Sequence, residues 1–484
     1  MLLIILRILE KLLIIYFSAY FIIDLALYAY SLLIFRKKRK KEKTEYDYAS
    51  HSISIIVPAY NEAVSIVDCI KMLLEVDYLD FEILIINDGS KDQTLVEMQN
   101  AFIFQKQNKT VKELLITKKI KDVYLSNPNL ILIDKENGGK ADSINAGINY
   151  ASKKYICTID ADSILDSQAL KAVIEPFLID PRNFVSGGQI AASNDVIIKH
   201  NRVVSSKMPR NIWVLWQIVE YIKSFMISRI GLSKINSLLI MSGAFSIYRK
   251  SDLEKVGGFL TAHNTHPYIQ KSIGLGHKTV CEDMEIVVRL WRWFRENKQK
   301  AKTSFLPQPI CWTEMPDNGL NLYKQRSRWH MGLAESLKIH RKIAFEPRYK
   351  STGLLAYPYY LFFELLSPVI KIFALLFIFL GAYMGTLNLA WVLLLIASIT
   401  LTTAVIMSSI TAIIEKWSQN KITANRDALR YKTFWNWLWL LIIGIIGDFT
   451  YAFFRTFAQF AGLIKFFQKK SDWNKFERKG IKTE

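Results

Sequence analysis

Long apolar stretches near both ends of the chain constrain its fold more than any motif. Leu12 to Phe35 is almost wholly apolar, and about 20 such residues suffice to cross the ~30 Å hydrocarbon core of a bilayer. Arg36-Lys37-Lys38-Arg39-Lys40-Lys41 follows at once. A basic block directly after a span marks the cytoplasmic side. With no small-residue cleavage site between them, the segment reads as a retained anchor, not a cleaved leader. The same adjacency disfavours a nucleic-acid-binding tail, and no nucleic-acid partner is expected. Met1 to Lys11, with Arg7, Glu10 and Lys11 among leucines and isoleucines, either lies along the interface or extends the first span.

Apolar density returns after about Gly353. Leu354 to Tyr383 and Leu387 to Ile414 each suffice for a span, and Pro358 and Pro368 are expected to break the first into an interfacial piece and a span. Glu415 to Lys432 is a charged connector. Trp435 to Phe467 is too long for one untilted helix and reads as a tight hairpin of two helices, with one tilted span as the alternative. The hairpin would return the basic tail, with Lys469, Lys470, Lys475, Arg478 and Lys479, to the cytoplasm. About five spans are expected. Asp24, Glu364, Lys371, Asp448 and Arg455 are costly against lipid, so they are expected in a bundle interior, along a wet passage or near an end.

The resulting organisation is a membrane segment over 1–35, a basic linker over 36–51, a cytoplasmic domain over 52–345, membrane helices over 354–468 and a basic tail over 469–484. Such a chain would be a multi-pass protein of the inner (cell) membrane, with the lipid bilayer as one partner. The 63 Lys and Arg against 43 Asp and Glu give a formal charge of +20, which favours anionic partners such as lipid headgroups or phosphorylated substrates. Cys69, Cys157, Cys281 and Cys311 show no paired spacing, so neither a disulfide framework nor a zinc ribbon is indicated.

The middle reads as α/β. Strand-like runs at Ile53 to Val57, Ile83 to Ile86, Leu130 to Ile133 and Tyr155 to Ile159 alternate with helical stretches at Glu62 to Leu74 and Lys140 to Tyr150. That alternation implies a mostly parallel sheet with helices on both faces. In such sheets ligands bind beyond the carboxyl ends of the strands. Here those ends run into Pro58-Ala59-Tyr60-Asn61-Glu62, Asn87-Asp88-Gly89-Ser90 and Asp160-Ala161-Asp162. No Gly-x-Gly-x-x-Gly follows the first strand and no P-loop is present, which weakens dinucleotide and P-loop readings. Asp160 and Asp162, two apart at a strand's end, can turn toward one spot and hold Mg²⁺ or Mn²⁺ shared with a diphosphate; an ordinary turn is the plainer alternative. Asn137-Gly138-Gly139-Lys140 offers a glycine turn and a lysine opening a helix, either a phosphate seat or a plain strand-to-helix loop. Glu282-Asp283 opens a helical stretch, where acid is favourable in any case. Asn211 to Arg229 is apolar enough for a membrane surface or a buried helix, with Gln217, Glu220 and Lys223 as its polar side.

In order, Val57-Pro58-Ala59-Tyr60-Asn61-Glu62, Asn87-Asp88-Gly89-Ser90, Asn137-Gly138-Gly139-Lys140-Ala141, Asp160-Ala161-Asp162, Ser242-Gly243-Ala244-Phe245, Glu282-Asp283 and Gln325-x-x-Arg328-Trp329 resemble the processive, membrane-embedded family-2 glycosyltransferases. These are the synthases of poly-N-acetylglucosamine, hyaluronan, chitin and cellulose. The resemblance implies a GT-A-type nucleotide-sugar domain with a mostly parallel sheet, joined to an α-helical transmembrane bundle. It implies that Ala59, Tyr60, Glu62 and Asp88 embrace a uridine and that Lys140 touches the diphosphate. Asp160 and Asp162 would hold nucleotide and Mg²⁺ or Mn²⁺. Asp283, with Glu282 beside it, would serve as catalytic base, Gln325 and Arg328 would lie near the pyrophosphate, and Trp329 would form the platform under the acceptor sugar. The implied partners are a UDP-sugar donor and a growing polysaccharide, with any accessory subunit unspecified. Transfer to a lipid by a non-processive enzyme, and a non-catalytic secretion partner, are the rival readings.

Three departures accompany the resemblance. Cys281 stands where the family usually has threonine before Glu-Asp, and a thiol is a poor hydrogen-bond donor. The loop from Thr261 to Val280 is longer than the pattern requires, and His263, His266 and His277 in it read as spare histidines more readily than as a second metal site. Trp473 to Lys479 is only faintly similar to a hyaluronan-synthase tail loop.

Overall fold

The computed structural model describes residues 2–38, 47–48, 50–107, 111, 113–127, 129–223, 228–419 and 433–469. The linker over 39–46, the connector over 420–432 and the tail beyond 469, with its Trp473 to Lys479 stretch, lie outside those residues.

The strand-like runs form strands in one ten-stranded sheet. Four central strands, Leu130–Lys135, Phe81–Asn87, Ile53–Ala59 and Tyr155–Ile159, lie side by side in that order and run parallel. They are near-continuous apolar runs because helices cover both faces of such a sheet; Ile53, Ile55, Ile56, Ile83 and Leu84 are fully buried. Beyond Tyr155–Ile159 come Phe245–Arg249, Asn183–Ala192, Lys302–Thr313 and Ser163–Leu165, while Ile120–Asn127 and Gln105–Gln107 close the other edge. Most strands point one way; only Ile120–Asn127, Phe245–Arg249 and Ser163–Leu165 run against them. The chain winds outward in opposite directions from Ile53–Ala59, first to Phe81–Asn87 and later to Tyr155–Ile159. Crevices at such reversals are where open α/β sheets bind ligands.

At the membrane end, Leu2–Lys38 is one helix of 37 residues. Leu2 to Lys11 is therefore continuous with the first apolar helix, and the whole helix is about 55 Å long at 1.5 Å per residue. Leu389–Gln419 is a second long helix. The proline-bearing segment bends as expected: Thr352–Leu365 meets Ser367–Tyr383 at 45°, with Pro368 in the first turn of the latter. Two expectations need correction. Phe434–Phe449 and Tyr451–Phe467 meet at Thr450 with a bend of 50° instead of doubling back, so the tight hairpin is a bent pair. With each bent pair taken as one span, the described helices supply up to four spans by length and composition, not about five.

Ile212–Glu220 packs against the sheet strand Asn183–Ala192 and the membrane helix Phe434–Phe449, bridging the two parts. Its expected polar side is mostly inside, since Gln217 and Glu220 are both buried. A second bridge joins Gly319–Ile339 to Tyr451–Phe467. There Gly462 lies directly on the Ser327 carbonyl, leaving no room for a Cβ.

Candidate functional site

The three polar strand ends converge with residues from far downstream. Ala59, Tyr60, Glu62, Asp88, Lys140, Asp160, Asp162, Glu282, Asp283, Gln325, Arg328 and Trp329 all line one cavity of about 690 Å³. That cavity continues past Trp329 to Tyr20, Phe363, Glu364, Lys371 and Arg455 on the membrane helices. Three of the five ionisable residues flagged as costly in lipid thus face an interior space.

The floor near Ala59 is built by two interlocking turns. The Asp88 N–H donates to the Ala59 carbonyl at 2.9 Å. Its carboxylate accepts from the Gly138 and Gly139 N–H groups at 2.9 and 2.8 Å and from the Lys135 ammonium at 2.7 Å. Lys135 is fully buried and also pairs with Asp142 at 2.7 Å. Asp142 in turn meets His263 Nε2 at 2.7 Å. Asp88 therefore lines the cavity and also holds the Asn137-Gly138-Gly139 turn in place. Lys135 and Asp142 escaped sequence reasoning, and His263, read there as a spare histidine, instead pairs with Asp142. The one local signal was a lysine ending an apolar strand, a costly place for an ammonium unless it is paired. His266 accepts from the Tyr268 N–H as a helix cap, and no group of metal-binding residues occurs on that loop among the described residues.

Next to this floor, Lys140 Nζ lies 2.6 Å from Asp160 Oδ1 and 3.1 Å from Glu282 Oε1, and donates to the Gly243 carbonyl at 3.1 Å. Burial disfavours its charge, but Asp160, Glu282 and Asp283 outweigh that and hold it protonated. Asp162 is buried and accepts from Ser163 Oγ at 3.3 Å. Asp283 lies in the first turn of the helix Glu282–Glu296 and accepts from the Gly243 N–H at 2.9 Å. Burial and the neighbouring Glu282 push its carboxyl up to about 6, against the opposing pull of Lys140, Arg229 and that N–H. A carboxylate tuned upward in this way suits a general base near neutral pH.

Trp329 is half-buried on Gly319–Ile339. The Arg326 guanidinium lies 4.3 Å from its ring centre, and Tyr221 stands 6.5 Å away at a tilt. Cys281 joins this helix to Glu282–Glu296, in whose first turn Asp283 lies. Its thiol, kept neutral by burial, reaches the Trp329 carbonyl at 3.7 Å, and Gly332 packs directly against it. The missing threonine hydroxyl is thus replaced by a close packing contact.

The carboxylates suit a divalent cation. Asp160 is paired with the Lys140 ammonium at 2.6 Å, so a cation bound there would share or take over that carboxylate. Among the described residues no cluster of three or more protein ligands surrounds it.

Residues 54–257 match the family model described as Glycosyl transferase family 2. The chain is 27% identical over 286 residues to a poly-beta-1,6-N-acetyl-D-glucosamine synthase of Staphylococcus epidermidis, covering 59% of this chain and 55% of that protein. It is 26% identical over 324 residues to the protein of the same description from Staphylococcus aureus (strain COL), covering 67% of this chain and 64% of that one. It thus spans less than two-thirds of the length of either relative. A mannosyltransferase from Pyrobaculum calidifontis, solved with GDP-Man and Mn²⁺, superposes with a TM-score of 0.54 at 18% identity, over 91% of this chain and 99% of that one. That likeness establishes the GT-A fold.

Proposed function

From the match of residues 54–257 to the Glycosyl transferase family 2 model, we propose that the protein is an inverting, processive glycosyltransferase. It would build a β-linked polysaccharide from a UDP-sugar, with UDP-N-acetylglucosamine the favoured donor, and pass it across the membrane. The observation carrying this reading is the single cavity that joins Asp160, Asp283 and Trp329 to the membrane helices. The donor preference is supported by the likeness to two poly-beta-1,6-N-acetyl-D-glucosamine synthases.

In this reading the uridine sits against Ala59, Tyr60, Glu62 and Asp88. Asp160 and Asp162 would hold Mg²⁺ or Mn²⁺, which, when bound, stabilises the charge developing on the departing diphosphate. Lys140 and Arg328 supply fixed positive charge to the same leaving group. Asp283 accepts the proton of the acceptor hydroxyl as it attacks the anomeric carbon, and one such displacement inverts that centre. Trp329 offers the acceptor sugar a flat apolar face, fixing its position without consuming its hydroxyl hydrogen bonds. The domain would lie in the cytoplasm of a multi-pass inner-membrane protein, where nucleotide-sugars are made.

The cavity's membrane end would also admit a lipid-linked acceptor, so a short glycolipid is the competing product. The test is to purify the protein in detergent, offer several UDP-sugars with Mg²⁺ or Mn²⁺, measure UDP release and size the product. A long polymer from UDP-N-acetylglucosamine is expected; glycolipid alone, or no UDP release from any donor, overturns the proposal.

A further inference from the structure

A carboxylate outside the recognised motifs organises the acceptor end of the cavity. Glu220 is the last residue of the apolar helix Ile212–Glu220 and is only 7% exposed. A buried carboxylate persists as an ion only when it is paired and hydrogen-bonded, and Glu220 draws partners from two other elements. Arg326, on Gly319–Ile339, donates to Glu220 Oε2 from Nη2 at 2.5 Å and from Nε at 3.2 Å. The Tyr451 hydroxyl donates to the same oxygen at 2.7 Å, and Arg455 Nη1 reaches Oε1 at 3.4 Å, both from the last membrane helix. Burial would favour the neutral acid, but the two guanidinium charges and the donated hydrogen bonds outweigh it and keep Glu220 ionised.

Arg326 faces the motif with what remains of its guanidinium. Its Cζ lies over the Trp329 ring at 4.3 Å from the centre, and Nη1 donates to the Gln325 side-chain oxygen at 2.5 Å. One side chain thus touches two of the three fixed residues of Gln325-x-x-Arg328-Trp329 while its opposite edge is forked onto Glu220. A planar guanidinium pinned on one edge has little freedom to move over a ring on its face.

We infer that Glu220 is a positioning residue for the acceptor: through Arg326 it fixes the Trp329 indole and the Gln325 amide, and through Tyr451 and Arg455 it registers them to the last membrane helix. This inference rests on the reading of Trp329 as the acceptor platform. A polymer that advances one sugar per turn must find the same seat each time, and the membrane helices beside the seat must keep their register with it. Glu220 is the atom-level junction of those two requirements.

The test compares wild type with Glu220→Gln in detergent or proteoliposomes, using UDP affinity, donor KM, acceptor-dependent rate and product length. Glu220→Gln keeps the shape but strips the buried Arg326 guanidinium of its carboxylate and removes one acid from the half-buried Arg455. Loss of a buried charge partner is a large perturbation, so elongation is expected to fall about tenfold or more and products to shorten, with UDP affinity and donor KM held within about twofold. Because the single variant risks misfolding, the neutral pair Glu220→Gln with Arg326→Gln is measured beside it and should elongate no worse than Glu220→Gln. Arg326→Lys, which keeps charge without the planar fork, should restore only part of the elongation lost in Arg326→Gln. Wild-type chain length from Glu220→Gln, or parallel loss of UDP affinity and elongation in both the single and paired variants, overturns the inference. Failure of wild type itself to make polymer would instead overturn the proposed function, which separates the two failures.

Discussion

The ionisation of Asp283 offers the sharpest test of the proposed chemistry. Its carboxyl is pushed up to about 6 by burial and by Glu282, while Lys140, Arg229 and the Gly243 N–H pull the other way. Relative to an ordinary aspartate near 3.9, that is a difference of ~3 kcal/mol between the protonation states. The base works only when ionised, so acceptor-dependent kcat/KM should be flat above about pH 7 and fall tenfold per pH unit below about 6. Removing the negative neighbour with Glu282→Gln should move this acid limb downward by about half to one pH unit. Lys140→Met should move it upward, alongside a loss of rate from weaker diphosphate binding. The assay is UDP release at saturating donor across about pH 3–9, a range that brackets both ordinary and shifted carboxylates. The stability sign runs opposite to the usual carboxylate. Since the folded state holds the proton more tightly than the unfolded chain, stability is greater with Asp283 protonated and declines as pH rises through about 6. Asp283→Asn should therefore abolish transfer yet raise Tm at pH 8, with little gain at pH 4. An acid limb centred near pH 4, or one that Glu282→Gln leaves in place, refutes the reasoning.

Asp160→Ala should weaken metal-dependent UDP binding, read as loss of the difference between titrations with Mn²⁺ and with EDTA; unchanged binding in both would remove Asp160 from the metal. Trp329→Ala should shorten the product and raise the acceptor requirement while leaving UDP affinity near wild type, checked by product sizing beside nucleotide titration. Gly332→Ala pushes a methyl into the Cys281 thiol and should cost about 1–3 kcal/mol by overpacking, seen as a lower Tm together with reduced elongation. Asp142→Asn leaves the fully buried Lys135 with one carboxylate in place of two. It should destabilise the domain by about 3 kcal/mol, the order expected when a buried ion loses a partner, as followed by thermal or denaturant unfolding.

Features written within a few residues of one another were legible before any coordinates. The strand runs ending at Ala59, Asn87 and Ile159 are apolar repeats of the right length, and the carboxylates after them mark where such a sheet binds its ligand. The twelve candidate site residues line one cavity, although their motif neighbours Asn61, Ser90 and Phe245 do not. What remained hidden joins distant parts of the chain. Asp142 and His263 lie 121 positions apart, and Glu220 and Tyr451 lie 231 apart; neither pairing has a local pattern, because the fold alone brings the partners together. Glu220 itself reads as the polar side of an amphipathic helix, and only the arginines facing it show why an acid can be buried there. The bend at Thr450 was hidden for a related reason. The length of the apolar stretch showed that a straight helix would not fit, but the direction of the break is set by packing against Gly319–Ile339, which sequence does not display.

On the proposed function, the seating of Gly462 on the Ser327 carbonyl would have a physiological consequence. Where backbone meets backbone there is no compressible side chain to absorb a displacement, so a tilt of the final membrane helix passes undamped into the helix that carries Gln325 and Trp329. Hydrocarbon thickness and lateral pressure set such tilts, which would make lipid composition a control on how fast, and how far, each chain grows.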